Sequence, residues 1–233
     1  MKKRVAILQS NYIPWKGYFD FIDSVDEFVL FDEMQYTRRD WRNRNLIKTA
    51  TGLSWLTIPV AVKGRYFQKI SETEISATDW RHEHLTAIRH AYARAPYFRE
   101  VFPWIEELYA AASGTNLSAV NRMLLERCCE RLDIRTPLTN SIDYEIVDGK
   151  TERLVSICQQ AGATTYVSGP AARDYVDARL FEAAGIELEW MDYEGYRDYP
   201  QLHGEFCGGV TILDVFLNTG SQAATYALRR SLR

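Results

Sequence analysis

The chain has 233 residues, of which 46% are apolar and 25% are charged, and its formal net charge is −3. This balance is typical of a globular protein with enough apolar side chains for a sizeable core, and it argues against a disordered chain. The small negative charge also argues against general nucleic-acid binding, which requires a basic surface to neutralise phosphates. The length predicts one domain, residues 1–233.

The amino-terminal segment predicts a cytoplasmic protein without a membrane span. Its basic start is followed by an apolar run that stops at Gln9, which is too short for a signal-peptide core or for a bilayer crossing. The cysteines form no C-x-x-C pair and no regular disulfide spacing, so we expect free and mostly buried thiols. They are Cys128, Cys129, Cys158 and Cys207.

The first third of the chain predicts strands interleaved with a helix. Residues 4–8 are apolar and β-compatible, and they end in a polar turn that Pro14 closes. In residues 15–25 apolar side chains recur every three or four positions, which predicts a helix with one buried face. Further strands are predicted at residues 28–31, 45–48 and 54–60, the last two as a hairpin.

The rest of the chain predicts helices and two more strands. Helices are expected at residues 79–94, 117–132, 152–161, 177–184, 211–217 and 222–232, and strands at 165–167 and 186–191. Strand, helix and strand in succession indicate parallel pairing with a right-handed crossover. We therefore predict an α/β three-layer sandwich with a mixed, mainly parallel sheet and a helical middle segment. The alternative is an α+β arrangement, since the middle is mostly helical.

A polar and aromatic loop joins the first strand to the first helix. In open α/β sheets, ligands bind beyond the carboxyl ends of strands, where helix amino termini offer N–H groups to anions. The candidate substrate-binding residues of this loop are Gln9, Asn11, Tyr12, Trp15 and Lys16. Tyr12 and Trp15 equally fit the core, whereas the three polar residues are harder to explain there.

An arginine-rich segment follows the second predicted strand, so we expect it at the same edge of the sheet. Residues 38–45 hold four arginines and one aspartate, a local charge of +3 in a net-acidic chain. Guanidinium groups suit phosphate or carboxylate, and aromatic rings stack on a sugar or base. The candidate substrate-binding residues are Gln35, Tyr36, Arg38, Arg39, Trp41, Arg42, Asn43 and Arg44; the alternative is a solvated loop.

Two residues are candidate proton acceptors. Asp32 directly follows an apolar strand, a position where carboxylates hold a metal, a ribose or a reacting amine, although it also fits a simple turn. His203 lies in a loop before the final helices, and this loop, which includes Gln201, is a candidate lid over the same edge.

A third cluster, at the end of the strand predicted at residues 165–167, is made of small residues. A loop of this kind can approach a phosphate closely, and its candidate substrate-binding residues are Ser168, Gly169 and Tyr175. It lacks the G-K-[ST] ending of a P-loop, so it is a weak nucleotide signal.

The histidines indicate no metal site. His82 and His84 are two residues apart on a predicted helix and cannot form a metal-binding pair of the H-E-x-x-H type. We expect them and His90 at the surface of that helix. No G-x-S-x-G, G-x-G-x-x-G or D-x-D pattern occurs, which argues against simple hydrolases, Rossmann dehydrogenases and metal-dependent glycosyltransferases.

The same clusters carry a resemblance to a known family. Q-x-N-Y-I-P-W-K-G-Y-F, F-D-E-M-Q-Y-T-R-R-D-W-R-N-R-N, G-A-T-T-Y-V-S-G-P-A-A-R-D-Y and finally Y-P-Q with D-V-F-L-N-T-G resemble the WbqC-like family in order and over nearly the whole chain. Ser10 stands where a proline is more typical. The resemblance implies a role in bacterial surface-polysaccharide (O-antigen) biosynthesis, in which glycine transfer to an amino sugar has been suggested for one member.

Together with the arginine-rich and aromatic clusters, the resemblance implies a transferase that adds an acyl or aminoacyl group, such as glycine, to the amine of a nucleotide-linked amino sugar. The expected partner is therefore a small-molecule nucleotide-sugar or an amino-acid donor, and no cofactor is identified. One alternative is ATP-dependent amino-acid activation, against which the missing H-x-G-H pattern counts. Another is a non-catalytic module that binds sugar nucleotides or glycans.

Overall fold

The structure, a computed structural model, describes residues 2–229. Its strands are β1 (Arg4–Leu8), β2 (Glu27–Leu30), β3 (Arg44–Thr49), β4 (Gly52–Thr57), β5 (Leu138–Asn140), β6 (Thr165–Ser168) and β7 (Glu187–Trp190). Its helices are α1 (Lys16–Asp23), α2 (Trp80–Tyr92), α3 (Phe98–Ala111), α4 (Leu117–Arg131), α5 (Glu152–Gln160), α6 (Ala178–Ala183), α7 (Ile212–Thr219) and α8 (Ala223–Ala227). Short 3₁₀ turns add to these at Ile70–Glu72, Ser141–Asp143, Pro170–Asp174 and Gly220–Gln222.

Five strands form one parallel sheet in the order β5-β2-β1-β6-β7. Successive side chains of β1 point to opposite faces, as the pleat of a strand requires. Ala6 belongs to the larger apolar cluster, with α1, α4 and α7, whereas Val5 and Ile7 belong to a smaller one with α5 and α6. Helices therefore cover both faces of the sheet, and the α/β three-layer sandwich is confirmed.

The order of the strands creates a switch point in the sheet. From β1 the chain moves to β2 and then β5 on one side, and it returns across β1 to form β6 and β7 on the other side. The connections that leave the carboxyl ends of β1 and β6 consequently diverge to opposite sides. A crevice opens at such a point, and in open α/β sheets it is the usual place for a ligand.

The antiparallel hairpin stands apart from the main sheet. β3 and β4 pair as predicted, with Thr49 opposite Gly52, but they form a separate sheet of two strands. The free side of β2 is taken by β5, where Phe28 is aligned with Leu138. The hairpin packs instead on α2, where the backbone N–H of Lys48 donates to the Tyr92 hydroxyl over 3.0 Å.

The sequence did not predict α3 or β5, and the helix that it predicted after α7 is longer than the observed α8. α3 contains Pro103, which breaks the usual helical signal, yet Val101, Ile105 and Leu108 are buried at helical spacing. β5 has only three residues. The helix expected at residues 222–232 ends at Ala227, and residues 230–232 lie outside the described part of the chain.

Two further expectations can be compared with the structure. Across residues 2–229, none of the helices is both long enough and apolar enough to cross a bilayer. All four cysteines have free thiols; three are buried, and Cys207 is partly exposed.

Candidate functional site

A cavity of about 540 Å³ lies at the switch point, beyond the carboxyl ends of β1 and β6. Apolar side chains line its inner part, and polar groups follow at the ends of the two strands. The lining residues are Ile7, Leu8, Gln9, Phe31, Met34, Lys150, Arg153, Leu154, Tyr166, Ser168, Gly169, Ala171, Ala172 and Tyr175. Its volume and mixed lining are those of a site for a small organic ligand.

Two cations give one side of this cavity a positive charge. Lys150 and Arg153 line it at the start of α5. Arg153 donates to the carbonyl of Gly149 and approaches the sulfur of Met34 at 3.4 Å, and among residues 2–229 neither cation pairs with a carboxylate. The positive end of the α5 dipole adds to this field. The cavity therefore favours a ligand with an anionic group.

Arg42 connects the first two polar clusters. Its guanidinium donates to the side-chain oxygen of Asn11 and, over 3.2 Å, to that of Gln9. The carbonyl of Arg42 accepts a 2.8 Å hydrogen bond from Asn121 on α4, which fixes the segment in place. Because Gln9 shares the switch-point cavity with Ser168, parts of all three predicted clusters meet at this edge of the sheet.

Asp32 is buried and fully engaged beside this edge. Its carboxylate accepts hydrogen bonds from the backbone N–H of Ser10 at 2.8 Å, from the Ser10 hydroxyl at 2.7 Å and from Ser118 in the first turn of α4. It lines a neighbouring cavity of about 210 Å³ together with Ser118 and Asn140. Asp32 thereby ties the loop after β1 to α4.

The remaining members of the arginine cluster lie away from the switch-point cavity. Arg44 stacks on Trp55, with the guanidinium carbon 3.9 Å from the ring centroid, and donates to the carbonyl of Arg39. Arg38 donates to the carbonyl of Val62 over 3.1 Å. It lines a separate cavity of about 320 Å³ with Gln35, Tyr36, Thr37, Val62, Arg65 and Tyr66. Buried Asn43 bonds the Tyr36 hydroxyl and the Ile58 carbonyl.

Tyr12 lies in a buried network with His84, which corrects the expectation that His84 is at the surface. His84 is 5% exposed because α2 turns it toward the core. Its Nε2–H donates to the carbonyl of Thr57 over 3.2 Å, and its Nδ1 accepts from the Tyr12 hydroxyl at 2.8 Å. Tyr109 donates in turn to Tyr12. Burial lowers the pKa of His84 from 6.5 to about 4, while His82 and His90 are exposed.

Lys16 is buried under the segment between β7 and α7. Its ammonium donates to the carbonyl of Arg197 over 2.9 Å. Burial lowers the pKa of Lys16. The rings of three aromatic residues surround it at 5.1 to 5.4 Å from their centroids: Tyr196, Tyr199 and Phe206. These aromatic faces stabilise the charge that burial destabilises.

The candidate lid residues lie on the same segment, next to α2 and α7. Gln201 donates to the carboxylate of Asp214 over 2.8 Å and accepts from Lys48 over 2.8 Å. His203 has a positive φ of 69°, and its Nε2 hydrogen-bonds the carbonyl of Ala91 at 2.7 Å. Neither His203 nor Asp32 lines the switch-point cavity, and the two have no contact with each other.

Lys150 and Arg153 were not among the candidates drawn from the sequence. A signal was present, since cations at the start of a helix are disfavoured by its dipole and need another reason to be there. Among the described residues 2–229, no group of three histidine, cysteine, aspartate or glutamate side chains comes together as a metal site would require.

Comparisons with known proteins agree with the resemblance of the polar clusters. A model of the WbqC-like protein family matches residues 9–226. The uncharacterized protein Rv1507c of Mycobacterium tuberculosis is 56% identical over 224 residues, which cover 96% of this chain and 97% of that protein. No solved structure matches.

Proposed function

Because the chain belongs to the WbqC-like family, we propose that it is a transferase of bacterial surface-polysaccharide biosynthesis. In this proposal it adds an acyl or aminoacyl group, such as glycine, to the amine of a nucleotide-linked amino sugar. The single observation that supports the proposal best is the switch-point cavity, which combines an apolar interior with Lys150 and Arg153, two cations that pair with no carboxylate within residues 2–229.

Each part of the cavity suits one part of a sugar nucleotide. Its volume of about 540 Å³ fits a ligand of nucleotide size, and Tyr166 and Phe31 offer apolar surface to a base. Lys150 and Arg153 would neutralise the phosphates, since guanidinium and ammonium groups are the usual phosphate partners in proteins. Gln9 and Arg42 at the strand end would orient the polar part of the substrate.

The proposed reaction needs a proton acceptor. The sugar amine attacks the carbonyl carbon of an activated acyl donor, an N–C bond forms, the donor's thiolate or phosphate leaves, and the amine loses a proton to a base. Asp32 is our first candidate for that base; because it is buried outside the switch-point cavity, it would receive the proton through the hydroxyl of Ser10 or Ser118, which donates to its carboxylate. His203 is the second candidate.

A thermal-shift experiment tests the binding step. The full chain is heated with UDP, GDP, dTDP, ATP and their sugar conjugates; a ligand at a hundred times its dissociation constant adds about 2.7 kcal/mol to the free energy of unfolding. We expect Arg153→Ala to abolish the shift and Arg135→Ala, a change at an exposed arginine on another surface, to retain it. A chain that no nucleotide stabilises would contradict the proposal.

Turnover is tested on the nucleotide that binds, with a thioester or an adenylated amino acid as donor. If Asp32 is the base, Asp32→Asn reduces turnover by about 10² to 10⁴ while nucleotide binding persists. If His203 is the base, His203→Gln has this effect instead. If neither change reduces turnover, both assignments of the base are wrong.

One observation favours a second candidate function, a non-catalytic glycan-binding module. Trp41 and Trp55 are both exposed and lie next to each other, which is unusual for tryptophan and is a common way to hold a sugar ring. A chain that binds glycans and turns over no donor would support this alternative.

A further inference from the structure

A second cavity of about 320 Å³ lies beside the switch-point cavity. It is lined by Asn11, Pro14, Trp15, Trp41, Asn45 and Gly209. Trp41 is 42% exposed, and its ring lies 5.4 Å from that of Trp55, which is 43% exposed. The exposed ring of Trp41 therefore lines a cavity and lies next to a second exposed ring, an arrangement that indicates a ligand.

The exposed rings are held in place by their surroundings. The carbonyl of Trp41 accepts a 2.9 Å hydrogen bond from the N–H of Tyr12, and the next carbonyl, that of Arg42, is bound by Asn121. Trp55 belongs to β4, and the guanidinium of Arg44 stacks on it. A platform that is fixed before binding loses little conformational entropy when a ligand arrives.

Polar groups of the cavity have hydrogen-bonding capacity left. The side-chain oxygen of Asn11 is occupied by Arg42, whereas its amide nitrogen donates to no other group in residues 2–229. The peptide group of Gly209 likewise has no hydrogen-bond partner within this part of the chain, and the space where a side chain would stand is open. One side-chain donor and one peptide group thus line the same cavity as Trp15 and Trp41.

From this combination we propose that the second cavity is the subsite for the pyranose ring of the sugar substrate. The C–H face of the ring packs on Trp41, and hydroxyl or amide substituents bond Asn11 and the Gly209 peptide. A nucleobase stacks on tryptophan as well, but no cation is among the residues that line the second cavity, whereas Lys150 and Arg153 line the switch-point cavity. This inference rests on the proposed function and assigns the two halves of the substrate to two adjoining cavities.

Arg42 connects the two cavities. Its guanidinium bonds both Gln9, in the switch-point cavity, and Asn11, in the second one. A substrate whose phosphates lie near Arg153 and whose sugar lies on Trp41 would pass this guanidinium. Arg42 would then position both ends of the substrate, because it orients the side chains of Gln9 in one cavity and Asn11 in the other.

Saturation-transfer NMR with free sugars tests the subsite without a nucleotide. The probes are the methyl glycosides of glucosamine, N-acetylglucosamine and galactosamine, added to the full chain. We expect transfer to ring C–H protons in the wild type, loss of most of this signal in Trp41→Ala and its recovery in Trp41→Phe. Phe67→Ala, which removes another exposed aromatic ring outside the lining of this cavity, is the matched control and retains the signal.

The outcomes separate this inference from the proposed function. Arg153→Ala should lose UDP binding and keep the sugar signal, because it alters only the switch-point cavity. If no glycoside shows transfer, or if Trp41→Ala weakens UDP and leaves the sugar signal intact, the sugar subsite is wrong even though nucleotide binding stands. If UDP and the other nucleotides fail to bind while Trp41 still governs sugar binding, the proposed nucleotide site alone is wrong.

Discussion

The side chain of His84 shows how burial changes the chemistry of a single residue. Its Nε2–H donates to the carbonyl of Thr57, and its Nδ1 accepts from the hydroxyl of Tyr12. These two hydrogen bonds require the neutral ring with its proton on Nε2. A charged ring would have to donate from both nitrogens inside the core. Burial of the charged ring is therefore unfavourable, and it lowers the pKa of His84 from 6.5 to about 4.

A dependence of stability on pH follows from His84. Between pH 6.5 and about 4 the unfolded chain binds a proton at this residue and the folded chain does not, so acid lowers the free energy of unfolding. The full effect is roughly 3 kcal/mol, at 1.36 kcal/mol for each pH unit. Urea unfolding at pH 8 and pH 4.5 measures it.

The control for this prediction is His84→Gln, which cannot be protonated. We expect the variant to be less stable than the wild type at pH 8, and the difference to narrow toward pH 4.5 as the wild type loses its His84 contribution. A difference that stays constant across this range would show that His84 does not titrate as its environment implies.

The sequence predicted that polar side chains gather at the carboxyl ends of the strands, but it did not predict their hydrogen-bond partners. Gln9, Asn11 and Arg42 were expected near one another, and their direct hydrogen bonds agree with this. The sequence did not predict that Arg42 lies near the switch-point cavity while Arg38 and Arg44 lie away from it. Arg44 stacks on Trp55 of β4, and the position of that strand depends on its packing against α2. His84 was misplaced for the same reason: the buried face of α2 is set by what packs on it.

At the scale of elements, α3 combines a helix-breaking residue with a strongly buried face. Pro103 lies at the sixth of fourteen positions and is exposed, so it contributes little packing and removes the hydrogen bond to the carbonyl of Arg99. Burial of side chains such as Val101, Ile105 and Leu108, each worth about 1.5 to 3 kcal/mol, outweighs that loss. Tertiary packing thus stabilises a helix that local propensity disfavours.

Pro103→Ala should therefore stabilise the protein. The variant restores the missing N–H donor, and we expect the free energy of unfolding to rise by about 1 to 3 kcal/mol in urea titrations. Pro170→Ala is the matched control, because Pro170 occupies the first position of its 3₁₀ turn, where no N–H is needed. If both variants behave alike, Pro103 does not interrupt the hydrogen bonding of α3.

Other elements were predictable where local signals were strong. β1 was predicted at its observed bounds because an apolar run ends in a polar turn, and Gly162 and Gly185 end their segments with positive φ angles of 68° and 71°. β5 was not predictable, since three residues carry no periodicity and it is defined by its pairing with β2. The placement of the hairpin outside the main sheet is likewise a tertiary outcome.

At the scale of the whole molecule, Asp214 joins distant parts of the chain. This fully buried carboxylate accepts hydrogen bonds from Tyr92 at 2.7 Å, Tyr199 at 2.6 Å, Gln201 at 2.8 Å and Asn218 at 3.2 Å. The donors come from α2, from the segment after β7 and from α7. One side chain thereby holds together elements that are more than a hundred residues apart.

Removal of this carboxylate should destabilise the whole protein. Asp214→Ala leaves several buried donors without an acceptor, and we expect the free energy of unfolding to fall by about 3 to 5 kcal/mol in urea titrations. Glu106→Ala, which breaks an exposed ion pair with Arg89, should change it by about 1 kcal/mol or less. Equal effects of the two changes would contradict the central role of Asp214.

The pairing of β1 with β6 also has a consequence for synthesis on the ribosome. Val5 is aligned with Tyr166, so about 160 further residues must be synthesised after β1 before its second neighbouring strand exists. Until then the nascent chain presents an unpaired strand edge, which invites aggregation and makes chaperone contact useful. A truncated product that ends before residue 165 would keep the half-sheet of β1, β2 and β5, lack one wall of the cavity and become a substrate for proteases.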